Sequence, residues 1–312
     1  MKAIVYKSTG SWYIVKNAED LSKVYNARLK GAFKIDGISS TNPIAVGDEV
    51  EIEREYDSDD TAMITAIHKR KNYVNRQSPK SQHHYHIIAS NLDQSLLIAT
   101  LREPRTSEGF IDRFLVGCEA FHVPAIIIFN KTDLYKQKEL DKLEEVRGIY
   151  EAIGYRVLAM SLEKNEGVNE VIGLLKDKVT LVSGHSGVGK SSFINHVFPE
   201  RKNLRTQEVS GWSGKGMHTT TFAEMMDIAD GGKIIDTPGI REFGIVDVTK
   251  EELSHYFPEM RRVLNNCQFN NCVHINEPGC AVKEAVNNNE ISVNRYASYL
   301  TILDSIKVRP YR

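Results

Sequence analysis

Apolar positions change their spacing twice along this chain. Over residues 1–67 they recur at alternate positions in five short runs, AIVYKS, SWYIVKN, VYNARLKG, VGDEVEIE and TAMITAIH. Thr9-Gly10, Asp36-Gly37 and Asn42-Pro43 punctuate them as turns. A period of two sends successive side chains to opposite faces of a strand, so the runs predict a small β-barrel of the OB-fold type. From about residue 90 the pattern becomes one of alternating kinds. QSLLIATL (94–101), VPAIIIFN (123–130) and YRVLAMS (155–161) are largely apolar, as buried strands are. FIDRFLVGCEAFH (110–122), QKELDKLEEVRGIYEAIG (137–154) and VNEVIGLLKDK (168–178) have helical spacing. VTLV (179–182), TTTFAEMMDI (219–228) and GKIIDTPG (232–239) predict further strands, the last two joined by Asp230-Gly231-Gly232. Strands alternating with helices predict a doubly wound parallel α/β domain. Beyond about 245 the chain turns polar and helical and ends on an amphipathic helix, EISVNRYASYLTILDSIK. The expected domains are 1–75, 76–245 and 246–312.

Composition narrows this picture. The chain has 312 residues, 41% apolar and 26% charged, as in an ordinary soluble protein large enough for two or three domains. No apolar run approaches the length of a membrane span. The opening MKAIVYKSTG lacks the apolar stretch and cleavage site of a signal peptide, so a cytoplasmic monomer is expected, with no membrane partner. Forty Lys and Arg against 41 Asp and Glu leave a net charge of −1, and no global basic field marks a nucleic-acid partner. Locally, no acidic residue separates Asp60 from Asp93, while Lys69, Arg70, Lys71, Arg76 and Lys80 fall there with His68, His83, His84 and His86. That window reads either as an RNA-facing patch or as a solvated basic loop. Trp12, Tyr13, Tyr25 and Phe33 read chiefly as barrel core, with base stacking as the alternative.

The strongest chemical signal is VTLVSGHSGVGKSS (179–192). A strand meets Gly184-His185-Ser186-Gly187-Val188-Gly189-Lys190-Ser191-Ser192 and then a helix start, the setting a phosphate-binding P-loop requires. Glycines let backbone N–H groups curl around a phosphate, and the helix N-terminus adds its dipole. Lys190 is placed to reach the β- and γ-phosphates, and Ser191 to offer a hydroxyl to Mg²⁺. Asn130-Lys131-Thr132-Asp133 follows the apolar strand AIIIF. There an Asp carboxylate can accept the two donors of guanine that adenine lacks, Asn130 can add a base contact and Lys131 can pack over the ring. Alone, such a tetrapeptide is equally suited to capping a helix; beside a P-loop it reads as guanine selection. Ser161-Leu162, after the next strand, sits where a loop would back the base. Asp236-Thr237-Pro238-Gly239 supplies a carboxylate on the Mg²⁺ side and a glycine facing the γ-phosphate. Gly216-Met217-His218-Thr219-Thr220-Thr221 precedes the neighbouring strand, and Thr220, ahead of Thr219, is expected to complete the metal shell.

These motifs come in an unusual order, with the guanine motif first and the P-loop after it. The second half of an ordinary GTPase has been moved to the front, which a parallel sheet tolerates because every loop still leaves at one edge. Further on, Cys267-x₄-Cys272-x-His274-x₅-Cys280 offers three thiolates and an imidazole, the donor set of a closed tetrahedral structural zinc site. A disulfide framework fits neither a cytosolic chain nor an odd trio of cysteines. Cys118, in an apolar helix, reads as core.

Taken with Asn91-x-Asp93-Gln94 ahead of the first α/β strand, these motifs resemble closely, over essentially the whole chain, the circularly permuted RsgA (YjeQ/YloQ) GTPases of bacterial small-subunit ribosome assembly. Met217 departs from the basic residue more usual there. The resemblance implies GTP hydrolysis to GDP late in maturation of the small ribosomal subunit, with the barrel and zinc domain on rRNA. Ile240 follows the DTPG motif, so no Gln is present to orient water, and His218 is the candidate for that role or for a packing or RNA contact. Alternatives are a nucleotide-gated RNA-binding checkpoint with incidental hydrolysis, and a permuted GTPase of the large subunit.

Overall fold

A computed structural model describes residues 1–30, 43–55, 60–78, 81–199, 223–229, 231–237 and 248–306, the side chains of 76–85 excepted. β1 (Lys2–Ser8), β2 (Tyr13–Asn17), β3 (Val24–Leu29), β4 (Glu49–Arg54) and β5 (Thr61–Ile67) form the expected barrel. The strands run β1-β2-β3-β5-β4, and β4 returns to pair with β1, which closes the OB-like barrel. Tyr13 and Tyr25 pack inside it with Val5, Val15 and Ile64. Trp12 does not: it precedes Tyr13, alternation turns it outward, and it is 45% exposed. Phe33 lies outside the described residues.

The basic window is loop over 68–72, and two strands follow. β6 (Tyr73–Ser78) and β7 (Ser81–Ser90) form a separate antiparallel hairpin. Its sequences, YVNRQS and SQHHYHIIAS, are largely polar, so no period-two apolar signal marks it. Three basic side chains just before it face carboxylates. Arg70 donates to the fully buried Asp48 at 2.6 and 2.7 Å, Lys71 pairs with Asp93 at 3.0 Å, and His68 lies 2.9 Å from Glu51.

The α/β domain follows as β8 (Gln94–Ala99), α1 (Glu108–Ala120), β9 (Ala125–Phe129), α2 (Gln137–Ala152), β10 (Arg156–Ala159), α3 (Val168–Gly173), β11 (Val179–Ser183), α4 (Lys190–Val197), β12 (Glu224–Asp227) and β13 (Lys233–Asp236). Its strand order is β10-β9-β8-β11-β13-β12, so the strand before the P-loop lies inside the sheet between β8 and β13. Alternate residues of these strands face opposite cores. Leu97, Phe129 and Leu181 meet α1 and α2, while Leu96, Ile128 and Val182 meet α3 and α4. Coverage on both faces explains why the strands read as continuous apolar runs. Cys118 of α1 is buried core, as expected.

Three features differ from the expectation. β12 is antiparallel to β13, because the turn from Ile228 to Gly232 is too short for a parallel crossover. α3 stops at Gly173, and turns carry the chain to Lys178. The barrel is also continuous with the α/β sheet: β1 pairs antiparallel with β12 at Lys7 and Glu224, while Tyr6 and Val46 of the barrel segment enter the α/β core.

The C-terminal module contains α5 (Pro258–Arg261), α6 (Ala281–Asn287) and α7 (Val293–Ser305) with short 3-10 turns. Its apolar cluster includes Leu253, Phe257, Tyr299 and Ile302, and it reaches Val116 of α1. No helix among the described residues is long and apolar enough to cross a membrane.

Candidate nucleotide site and metal centre

The described candidate nucleotide loops leave the C-terminal ends of parallel strands. The NKTD loop follows β9, Ser161-Leu162 follows β10, the P-loop follows β11 and Asp236-Thr237 ends β13. In an open α/β sheet that edge is where ligands bind.

The P-loop backbone can be made only with glycine. Gly184, Gly187 and Gly189 have φ of 142°, 86° and 102°. A Cβ on Gly184 would lie 2.2 Å from the Ile98 carbonyl oxygen, and one on Gly189 would lie 2.3 Å from Asn130 Nδ2. Lys190, the first residue of α4, folds its ammonium back onto the loop and donates to the carbonyls of Gly184 at 2.6 Å and His185 at 2.5 Å. Burial lowers the Lys190 pKa, and the charge of Asp236 opposes that shift. Ser191 and Ser192 are exposed in the first turn of α4. Ser186 and Gly187 are exposed at the loop's tip, while Val188 is fully buried beneath it.

The NKTD loop is fastened to the P-loop. Asn130 is buried, and its Nδ2 donates to the Val188 carbonyl at 2.8 Å. Its Oδ1 is buried without a hydrogen-bond partner. Asn130 therefore points toward the P-loop, where sequence alone suggested a base contact. Lys131 takes φ 63° and donates to the Glu103 carbonyl at 2.5 Å. Asp133 Oδ1 accepts from the hydroxyl of the fully buried Ser161 at 2.6 Å, which orients the carboxylate. Thr132 donates its amide to the Met160 carbonyl at 3.3 Å, and the Leu162 side chain lies beside Gly189. Four strands' loops thus converge on one place. His218, Thr220 and Gly239 lie outside the described residues.

One position escaped the sequence reading, and one motif it named gains a role. Tyr135 is buried; its hydroxyl accepts from the Leu101 amide at 2.9 Å and donates to the Asn130 carbonyl at 2.9 Å, bracing the NKTD loop against the segment after β8. Only its place directly after NKTDL could have hinted at this. The Asn91-x-Asp93-Gln94 motif proves to be a clasp. Asp93 accepts the Val179 amide at 2.9 Å, and Gln94 donates to Leu174 O at 2.7 Å and Thr180 Oγ1 at 2.9 Å. These bonds hold the start of the P-loop strand. Burial works to raise the Asp93 pKa, but the Val179 amide and Lys71 prevail and keep it low.

The metal candidates come together as expected. Ligand atoms of Cys267, Cys272, His274 and Cys280 lie within 4.8 Å of one another. His274 Nδ1 is 3.3 Å from Cys280 Sγ and 3.7 Å from Cys267 Sγ. Burial and neighbouring thiols push Cys272 up to about 12, so ionised thiolates crowded here call for a cation. Burial also lowers the His274 pKa, which keeps a ring lone pair available. Glu277 accepts the amides of Val273, Ile275 and Asn276 at 2.8–3.0 Å and shapes the ligand loop. The donor set is compatible with zinc and with a closed structural site.

This assembly defines a class: a P-loop GTPase domain, circularly permuted, carrying an OB-like barrel before it and a Cys₃His module after it. The chain belongs to the RsgA family. Residues 67–246 match the family model described as RsgA GTPase, and residues 2–64 match the RsgA N-terminal domain. It is 50% identical over 305 residues to the small ribosomal subunit biogenesis GTPase RsgA of Flavobacterium psychrophilum, covering 97% of this chain and 93% of the relative. With the same-named protein of Bacteroides fragilis it shares 47% identity over 312 residues, 100% of this chain and 99% of the relative. Among solved structures it resembles YjeQ from Thermotoga maritima, with TM-score 0.79, 32% identity and 99% of both chains covered. It also resembles YloQ, a circularly permuted GTPase, with TM-score 0.75, 30% identity and 100% and 96% covered.

Proposed function

We propose that this chain binds GTP at the sheet edge, hydrolyses it to GDP and phosphate, and couples that cycle to late maturation of the small ribosomal subunit. The observation that supports this reading most is the bond from Asn130 to Val188 of the P-loop, with Asp133 of the same tetrapeptide oriented by Ser161. Asp133 would accept the guanine donors, Lys131 and Leu162 would flank the ring, and the Gly184–Ser192 amides with Lys190 would take the phosphates. Mg²⁺, when bound, would neutralise charge on the β- and γ-phosphates, held by Ser191, Thr220 and Asp236. Catalysis is then mostly positioning and charge neutralisation. Water oriented by His218 attacks the γ-phosphorus, the bond to the β-phosphate oxygen breaks so that GDP leaves, and the water's proton passes to the released phosphate or to solvent.

Cys267, Cys272, His274 and Cys280 would hold one structural Zn²⁺. The barrel and the zinc module would face rRNA, as the names of the relatives suggest a ribosomal setting. A monomer working in the cytoplasm fits this role. GTP turnover measured with each isolated ribosomal subunit tests the proposal. Strong stimulation by small subunits alone is expected, whereas equal turnover with either subunit, or with none, would refute it.

A further inference from the structure

The first variable residue of the phosphate loop is held from outside the loop. The His185 ring stacks on Phe110, with centroids 3.5 Å apart and planes 29° from parallel. The carbonyl of the same residue accepts from Lys190 at 2.5 Å. Asn130 secures the second half of the loop at Val188, and Phe110 stands against the first half. Phe110 itself lies in the first turn of α1, its amide capped by Ser107 Oγ at 3.2 Å.

α1 is in turn locked to the C-terminal module by buried charge. Two residues beyond Phe110, Asp112 accepts from Arg295 Nη1 at 2.6 Å and from the Tyr150 hydroxyl at 2.6 Å. Arg295, on α7, also grips both oxygens of Glu259, at 2.7 and 3.1 Å, and its guanidinium lies 4.6 Å from the Phe257 ring centre. The three charged side chains are 1–4% exposed, so water cannot substitute for any partner. The next residues of α7 hold the metal loop: Tyr296 donates to the His274 carbonyl at 2.6 Å and Tyr299 to the Val273 carbonyl at 2.8 Å. A cavity of about 470 Å³ lies where Phe110 and His185 face Ser298, Thr301 and Ile302 of α7.

We infer that Phe110 is a positioning residue for the phosphate loop and that the C-terminal module holds it in place. The inference rests on reading the loop as the phosphate site. The metal loop thereby belongs to the support of the nucleotide site, through α7, Arg295, Asp112 and Phe110. Rigid packed elements of this kind can carry energetic coupling between distant sites.

The test uses the full, zinc-loaded chain with Phe110→Leu, which removes the ring, and Phe110→Tyr, which keeps it. Three quantities are read: hydrogen exchange of the residue 184–190 amides without nucleotide, GDP affinity, and GTP-over-XTP preference. Phe110→Leu is expected to speed exchange at 184–190 and weaken GDP binding about three- to tenfold, the range of one aromatic pair, with base preference unchanged. Phe110→Tyr should restore exchange and affinity. Cys272→Ser, which loosens the metal loop, should weaken GDP binding in the parent and add nothing in the Phe110→Leu background. Parent-like exchange and affinity in Phe110→Leu would overturn the positioning role. Equal losses from Cys272→Ser in both backgrounds would overturn the module's part in it. The exchange readout needs no nucleotide, so failure of the guanine reading would show separately, as a parent chain that binds no GDP.

Discussion

The nucleotide edge and the metal module solve the same problem, holding polar atoms in fixed geometry, by different means. At the sheet edge the backbone does it. β11 lies between β8 and β13 with apolar cores on both faces, and three glycines at positive φ turn the loop beyond it. In the module, α5 has four residues and α6 seven, and only α7, with thirteen, is a long helix. Side chains tie its segments together there: a Cys₃His cluster that could hold a metal ion, and a buried ion cluster. A site built on a sheet depends on which strands are neighbours, so moving half the chain to the front leaves it intact. A site built on ligands depends on local spacing, so Cys267 to Cys280 must stay together in sequence.

The sharpest way to break this contrast is at the ion cluster. Arg295→Leu strands Asp112 and Glu259 as buried carboxylates and should cost about 3–5 kcal/mol in thermal or denaturant unfolding. A loss below about 1 kcal/mol would mean that the cluster does not order the module. At the sheet edge, Lys190→Ala should reduce GTP turnover by about 10²–10³-fold, the range of one lost charge-stabilising donor. Its unfolding midpoint should stay near the parent's, because the backbone builds the loop; full activity would exclude Lys190 from the site. Removing metal with a chelator should raise protease sensitivity over residues 260–285 before the α/β domain responds. Uniform loss of protection would instead make the two regions one cooperative unit. The smallest effect concerns the brace. Tyr135→Phe leaves the Leu101 amide without its acceptor and should cost about 1 kcal/mol of stability, with weaker GTP binding.

Motifs with fixed local spacing were legible in the sequence: the glycine loop, NKTD and the Cys₃His set need only their neighbours in the chain. The parallel strands were legible too, because burial on both faces writes a continuous apolar run. Contacts that join distant segments were not. Arg295 meets Asp112 across 183 positions and Glu259 across 36, so no window contains the cluster. The joint between β1 and β12 is a backbone pairing, which leaves no side-chain signature. Arg70 read as a surface cation although it is bound to buried Asp48, since Asp48 lies outside the acid-free stretch that drew attention to it. Trp12 and Tyr13 show the finer limit: adjacent aromatics look alike in composition, and only strand register separates the outward ring from the core one.

The central claim is that strands brought together in permuted order make one guanine-selective site, with Asp133 choosing the base. Nucleotide affinities of the parent and of Asp133→Asn test it most directly, using GTP and XTP in parallel. The parent should prefer GTP, and the variant should lose GTP affinity while gaining XTP affinity, because xanthine replaces the guanine 2-amino donor with a carbonyl that an amide N–H can meet. Unchanged GTP affinity in Asp133→Asn, with no gain for XTP, would contradict the claim and remove the NKTD loop from the site.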